Sequence, residues 1–228
     1  MNPTEVAERL AAVNYRVTRA GAAPESVTVV AVTKGHGRWA VEAALAAGLV
    51  DIGENYGGEL LEKQTALAAT APVAQAPIAQ WHFLGHVQRN KVRSLAQVVH
   101  LWQGVDRQAA GEEIARRAPG AGVLVQVNVS GEAHKNGCSF DETPALVAVL
   151  SDLGLDVRGL MAVGPVDSDA VRAAYRRLNA LADRLGLAER SMGMSGDLET
   201  AVEEGSTMVR IGQALFGSRE ARTGGADL

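Results

Sequence analysis

The sequence predicts an α/β protein built as a single (β/α)8 barrel of the TIM type, preceded by one extra helix. Three observations carry this. Apolar, β-branched runs recur eight times, each followed by a helical segment. The clearest run, Val27-Thr28-Val29-Val30-Ala31-Val32-Thr33, shows no apolar/polar alternation, as expected of a parallel strand covered on both faces. The chain has 228 residues, close to the roughly 250 typical of the fold. An open, doubly wound sheet is the competing architecture.

The elements follow in order. Asn2-Pro3-Thr4-Glu5 has the form of a helix start, with Asn as cap and Pro at the first helical position. Val6, Leu10, Val13 and Val17 then make one apolar face, and Gly21 and Pro24 end the helix. After the first strand, Trp39–Ala47 reads as a helix stopped by Gly48, and Leu49–Gly53 as a strand ending at Glu54-Asn55. Glu59–Ala69 is helical, and residues 70–79, with two prolines, read as a surface loop. Gln80–Leu84 is a third strand closing at Gly85-His86, and Gln88–Leu95 a helix. Val98–Trp102 is a fourth strand leading to Asp106, and Arg107–Ala118 a helix broken by Pro119-Gly120. Val123–Val129 is a fifth strand, followed by the polar loop Ser130–Cys138 and a helix capped by Asp141 and reaching Leu153. Asp156–Met161 is a sixth strand, and the spacing from Val171 to Leu185 marks a long amphipathic helix. Ser191–Met194 is a weak seventh strand. A short helix follows, with Asp197 and Glu199 in its first turn and Gly205 at its end. Thr207–Ile211 is the eighth strand, and a closing helix begins near Ala214. One domain is expected over 1–228, with residues from about 219 to 228 as a frayed tail.

Composition narrows function by exclusion. Net charge is −4, with 21% charged and 47% hydrophobic residues, so no polyanion-binding surface is indicated and nucleic acid is not an expected partner. A single cysteine, Cys138, leaves no intramolecular disulfide, and no metal-ligand spacing is present. Met1–Leu10 lacks the apolar core of a secretion signal, and no apolar run approaches the ~20 residues of a membrane span. A cytoplasmic protein is expected.

In a barrel the C-terminal strand ends converge on one face, where ligands bind. Those ends carry Lys34, Glu54-Asn55, Gly85-His86, Asn128, Met161, Met194-Ser195-Gly196 and Arg210-Ile211-Gly212. Lys34 follows an apolar run, where desolvation favours the neutral amine and attack on a carbonyl. Ser195-Gly196-Asp197 precedes a helix, and Arg210-Ile211-Gly212-Gln213 ends the last strand; loops after strands seven and eight of this fold recurrently bind phosphate. A ligand bearing both an aldehyde and a phosphate is pyridoxal 5′-phosphate. Trp81-His82-Phe83 reads as core and Cys138 as a structural thiol. Met161, Met192 and Met194 read as packing residues, one of which could line the pocket.

The segments VAVTK (30–34), DIGENY (51–56), WHFLGHVQRNK (81–91), VLVQVNVSGEAHKNG (123–137), GLMAVGP (159–165) and SMGMSGDLETAVEEGSTMVRIGQALFG (191–217) resemble the pyridoxal-phosphate homeostasis proteins. That family is similar to the barrel domain of the alanine racemases, of fold type III. The resemblance implies that Lys34 forms the internal aldimine and that Ser195, beside Gly196, binds phosphate. It implies that the backbone amides of Gly212 and Gln213 contact the phosphate, that Arg210 faces the pyridine nitrogen, and that Asn55 lies beside the ring. The chain departs from the family at Gly35-His36-Gly37, at His86 and at Gln213, where threonine or serine is usual. The implied activity is buffering and delivery of the cofactor to apoenzymes, with no catalytic residue expected; a monomer is expected rather than a dimer. The alternatives are an amino-acid racemase and a cofactor-free Schiff-base enzyme. Against the racemase stands the lack of a second domain with a catalytic tyrosine; of Tyr15, Tyr56 and Tyr175, only Tyr56 is expected near the mouth.

Overall fold

Side chains alternate sides along a strand, yet this sheet is apolar on both faces because it closes on itself. Val30, Leu101, Leu124, Met161 and Met208 point inward and form a small cluster inside the barrel. Their neighbours, among them Val29, Ala31, Trp102, Val123 and Val125, face outward into the larger core beneath the helices. The computed structural model describes residues 1–70, 78–132, 135–165 and 167–218. Most of the loop expected at 70–79, and the tail expected at 219–228, lie outside these residues.

The elements run α1 (Pro3–Arg19), β1 (Thr28–Val32), α2 (Arg38–Ala46), β2 (Asp51–Glu54), α3 (Gly57–Thr70), β3 (Gln80–Phe83), α4 (Arg89–Leu95), β4 (Val99–Val105), α5 (Gln108–Arg117) and β5 (Gly122–Gln126). They continue with α6 (Thr143–Asp152), β6 (Asp156–Met161), α7 (Ser168–Arg184), β7 (Glu189–Ser191), α8 (Leu198–Glu203), β8 (Met208–Ile211) and α9 (Gln213–Phe216). The eight strands form a closed barrel in sequence order, and every pairing is parallel. Helix α1 starts with a full capping box between Asn2 and Glu5. No helix among the described residues is long and apolar enough to cross a membrane.

Three details differ from expectation. Strand β4 runs past its expected end at Trp102, through Gln103 and Gly104 to Val105, because Gln103 finds partners inside the barrel. Strand β7 begins earlier, at Glu189, although hydrogen bonding to the next strand continues through Met192 and Gly193. Asp141 does not cap α6. Ser139 and Glu142 instead satisfy one another across the preceding turn, the Glu142 N–H reaching Ser139 Oγ at 3.2 Å and the Ser139 N–H reaching Glu142 Oε2 at 2.9 Å.

Gly85 fixes the spacing of β2 and β3 at the mouth. A Cβ there would lie 2.1 Å from the Asn55 carbonyl oxygen, and one at Gly104 would lie 2.2 Å from that of Gly85. Gly85→Ala must therefore move backbone rather than a rotamer. We expect a loss of about 1–3 kcal/mol, read as a melting temperature several degrees lower by circular dichroism.

Candidate functional site

A cavity of about 550 Å3 opens at the C-terminal end of the barrel, within the ~300–1,000 Å3 common for small-molecule sites. Lys34, Asn55, Ser195, Gly196, Arg210, Gly212 and Gln213 all border it, although they come from four strand ends far apart in sequence. Apolar walls come from Val32, Leu84, Met161, Val163 and Met194. Met161 and Met194 thus line the pocket, while Met192 is buried in the outer core.

Arg210 is buried, and burial pushes its guanidinium down from its ordinary value, against the pull of Tyr175 and Asp197. An arginine can only donate hydrogen bonds, and the barrel supplies acceptors. Nη1 donates to Ser191 O at 2.6 Å and Ser191 Oγ at 2.7 Å, and Nη2 donates to Ala162 O at 2.7 Å. Ser191 Oγ donates in turn to Gln103 Oε1 (2.6 Å), and Gln103 Nε2 lies 2.7 Å from His82 Nδ1. His82 Nε2 lies 2.9 Å from Asp51 Oδ1. A polar thread thus crosses the barrel from its N-terminal side to the site, and His82 belongs to it rather than only to the apolar core.

Ser195 is held from three sides. Its Oγ accepts the N–H of Ala214 at 3.1 Å, at the opening of α9, and its carbonyl accepts from Arg16 Nη2 at 3.0 Å. Arg16 grips Glu199 with two bonds of 2.6 Å and holds that carboxyl below its usual range. The extra N-terminal helix therefore buttresses the loop that carries Ser195. From below, Asp197 Oδ1 accepts the Met194 N–H (2.6 Å) and its Oδ2 accepts the Tyr175 hydroxyl (2.6 Å). The sequence pointed to the N-terminus of α8 for Ser195; the structure turns its hydroxyl to α9 instead. Tyr175, not Tyr56, is the tyrosine that engages the site's loops. Tyr56 is half exposed and does not border the cavity.

His36 borders the cavity, packed against Trp39 (5.6 Å between ring centres) and Phe216 (5.7 Å). These rings tie the loop after β1 to α9. A histidine between two glycines carries no signal of that packing in sequence. His86 stands apart from the cavity, with Nδ1 3.2 Å from Asp106 Oδ2. Asn128 organises the following loop, its Nδ2 reaching Glu132 O at 2.8 Å and its Oδ1 accepting from Gly131 N–H at 3.1 Å. It borders a second, smaller cavity of about 280 Å3. Burial pushes the Cys138 thiol up, away from nucleophilic reactivity. Among the described residues, no group of three or more His, Cys, Asp or Glu is arranged to hold a metal ion.

Residues 9–220 match the family described as alanine racemase, N-terminal domain. A pyridoxal phosphate homeostasis protein of Pseudomonas aeruginosa is 42% identical over 228 residues, spanning 94% of this chain and 96% of that protein. One from Deinococcus radiodurans is 41% identical over 216 residues, spanning 91% and 97%. The chain belongs to the pyridoxal phosphate homeostasis family. Among solved structures, the family member PipY of Synechococcus elongatus with pyridoxal phosphate bound superposes with a TM-score of 0.79. It is 32% identical, with 93% of this chain and all of that chain covered. Alanine racemase from Corynebacterium glutamicum, 16% identical with a TM-score of 0.71, shares the fold; 98% of this chain covers 63% of it.

Removing the Tyr175 hydroxyl isolates the contribution of its bond to Asp197. Tyr175→Phe should cost about 1–3 kcal/mol of stability at neutral pH, measured by urea unfolding. Burial and Asp197 raise the folded-state pKa of the phenol. The wild type's advantage should therefore hold up to about pH 10, the unfolded value, and shrink as pH rises beyond it.

Proposed function

We propose that the protein binds pyridoxal 5′-phosphate in the barrel-mouth cavity, covalently through Lys34, and buffers and delivers this cofactor in the cytoplasm without turning over amino acids. The observation that carries the reading is the convergence of Lys34, Arg210 and the Ser195 and Gly212-Gln213 loops on one cavity. The donor set fits the group: an amine for an aldehyde, hydroxyl and main-chain N–H groups for a phosphate, and a fixed cation for a ring nitrogen. The relatives named above support it, one of them solved with this cofactor bound.

When bound, pyridoxal phosphate supplies an aldehyde that condenses with a primary amine, releasing water, and a ring that can withdraw electrons. Lys34 provides the amine. Ser195 and the backbone opening α9 offer charge-assisted hydrogen bonds to the phosphate. Arg210, tied down by Ser191 and Ala162, is unable to take a proton from or share one with a ring nitrogen. A ring nitrogen placed against Arg210 could only accept from it, which would keep that nitrogen unprotonated and weaken the ring's pull on electrons. Among the described residues, the ionisable side chains bordering the cavity are Lys34, His36 and Arg210. Racemisation needs acid–base groups on both faces of the α-carbon. Among the described residues, His36 packs against two rings and Arg210 is a permanent donor, which supports a site that binds without racemising. The partners are then the cofactor and the apoenzymes that receive it.

Borohydride reduction of the protein incubated with pyridoxal phosphate, followed by peptide mapping, tests the attachment. The pyridoxyl group should be found on Lys34, and Lys34→Ala should lose both the yellow colour and the adduct while keeping the wild-type circular dichroism. A specific adduct on another lysine would move the site.

Alanine in heavy water tests the absence of turnover. Exchange of the α-proton should run far below the ~1–1,000 s−1 of ordinary enzymes. Fast exchange that disappears in Lys34→Ala would make the protein an amino-acid enzyme.

A further inference from the structure

Two side chains of α3 grip the peptide groups on either side of Lys34. Lys63 Nζ donates to the carbonyl oxygen of Thr33 at 2.8 Å. Glu59 Oε2 accepts the N–H of Gly35 at 2.9 Å. The first group belongs to the peptide plane that enters Lys34 and the second to the plane that leaves it. Peptide units are rigid, so the orientation of these two planes sets both backbone torsions of the residue between them. Those torsions in turn aim its Cα–Cβ bond. Gly35 completes the turn with φ of +72°, a region that side chains disfavour.

The grip has its own foundation. Lys63 is buried, its side chain 6% exposed, and its ammonium lies 2.5 Å from Glu54 Oε1 and 3.5 Å from Glu59 Oε2. Glu54 also accepts the Thr33 hydroxyl at 2.6 Å. Burial pushes the Glu54 carboxyl up, against the opposing pull of Lys63 and Thr33. A buried ion pair adds little net stability over an apolar pair of equal size, and its best-attested use is to specify a geometry. Here the geometry specified is the turn that bears Lys34.

We propose that Glu59, with Lys63 and Glu54 behind it, is a positioning residue that holds the Lys34 amine toward the cavity; the inference rests on Lys34 being the point of attachment for pyridoxal phosphate. Glu59 is the member to test, because its side chain is 24% exposed, whereas replacing Lys63 strands Glu54 in the interior. Glu59→Met keeps the methylene packing and removes both oxygens; Glu59→Ala serves if that variant does not fold. Glu59→Gln retains an oxygen able to accept the Gly35 N–H.

Three measurements on the full chain separate a positioning role from a structural one. The apparent Kd for pyridoxal phosphate should rise about ten- to a hundredfold in E59M, the loss of one hydrogen bond to a charged group. The Kd for pyridoxamine phosphate, which has the ring and phosphate but no aldehyde, should change less than about twofold on the same scale. In the protein free of cofactor, the rate at which trinitrobenzenesulfonate labels Lys34, followed against pH by peptide mapping, should shift in E59M and return toward wild type in E59Q. Equal weakening of both ligands, or unchanged labelling of Lys34, would overturn the inference. So would an E59Q variant that behaves as E59M does. If borohydride fails to trap the cofactor on wild-type Lys34, the proposed function fails, while the labelling comparison still decides whether Glu59 aims that amine.

Discussion

The pairing of β1 with β8 is the constraint on which the rest depends. It closes the barrel in a register that sets Val30 opposite Arg210 and Ala31 opposite Ile211. Continued past the strand ends, the same seam brings Lys34 and Gly212-Gln213 side by side to the cavity rim. A slip of one residue would turn every inward side chain outward, sending Arg210 into the apolar layer beneath the helices. Both faces of the seam are apolar, inside through Val30 and Met208 and outside through Val29 and Val209. The register is therefore tied to burial on two sides at once.

A barrel interior filled only with aliphatic side chains would leave Arg210 with backbone acceptors alone, at a larger desolvation cost. The interior answers with backbone oxygens at Ser191 and Ala162 and with the thread through Ser191, Gln103 and His82 to Asp51. This explains several polar residues on buried strand faces. Each of them sits on a different strand, so no local pattern connects them. The thread also rests the cation that faces the site on groups near the opposite end of the barrel.

Around the mouth the same logic recurs in smaller form. Polar and charged groups that do not border the cavity hold the loops that do. Arg16 of α1 holds the Ser195 carbonyl, Tyr175 of α7 holds Asp197, and Glu59 and Lys63 of α3 hold the turn at Lys34. The helices therefore do more than cover the sheet. Sites supported in this way by rigid elements keep their geometry without the ligand present.

The sequence by itself determined the barrel, nearly all of its elements and many of the polar residues that border the cavity. It could do so because unbroken apolar runs mark strands covered on both faces, and because the fold carries strand ends to a common face whatever lies between them. The capping box at Asn2 and the glycines after helices were equally legible, since each is a local rule. What only the tertiary structure decided are the relations that span the barrel. Gln103 lies beyond the expected end of the fourth strand until its partners on β3 and β7 are in place. Tyr175 reads as one more apolar position on an amphipathic helix until Asp197 arrives beneath it. The direction of the Ser195 hydroxyl, toward α9 rather than α8, depends on how two loops meet, and the grip of Glu59 and Lys63 on the Lys34 turn depends on how α3 lies beside the turn that follows β1. A hydrogen bond needs its two atoms within about 3 Å, and periodicity along one segment holds no information about the distance to another.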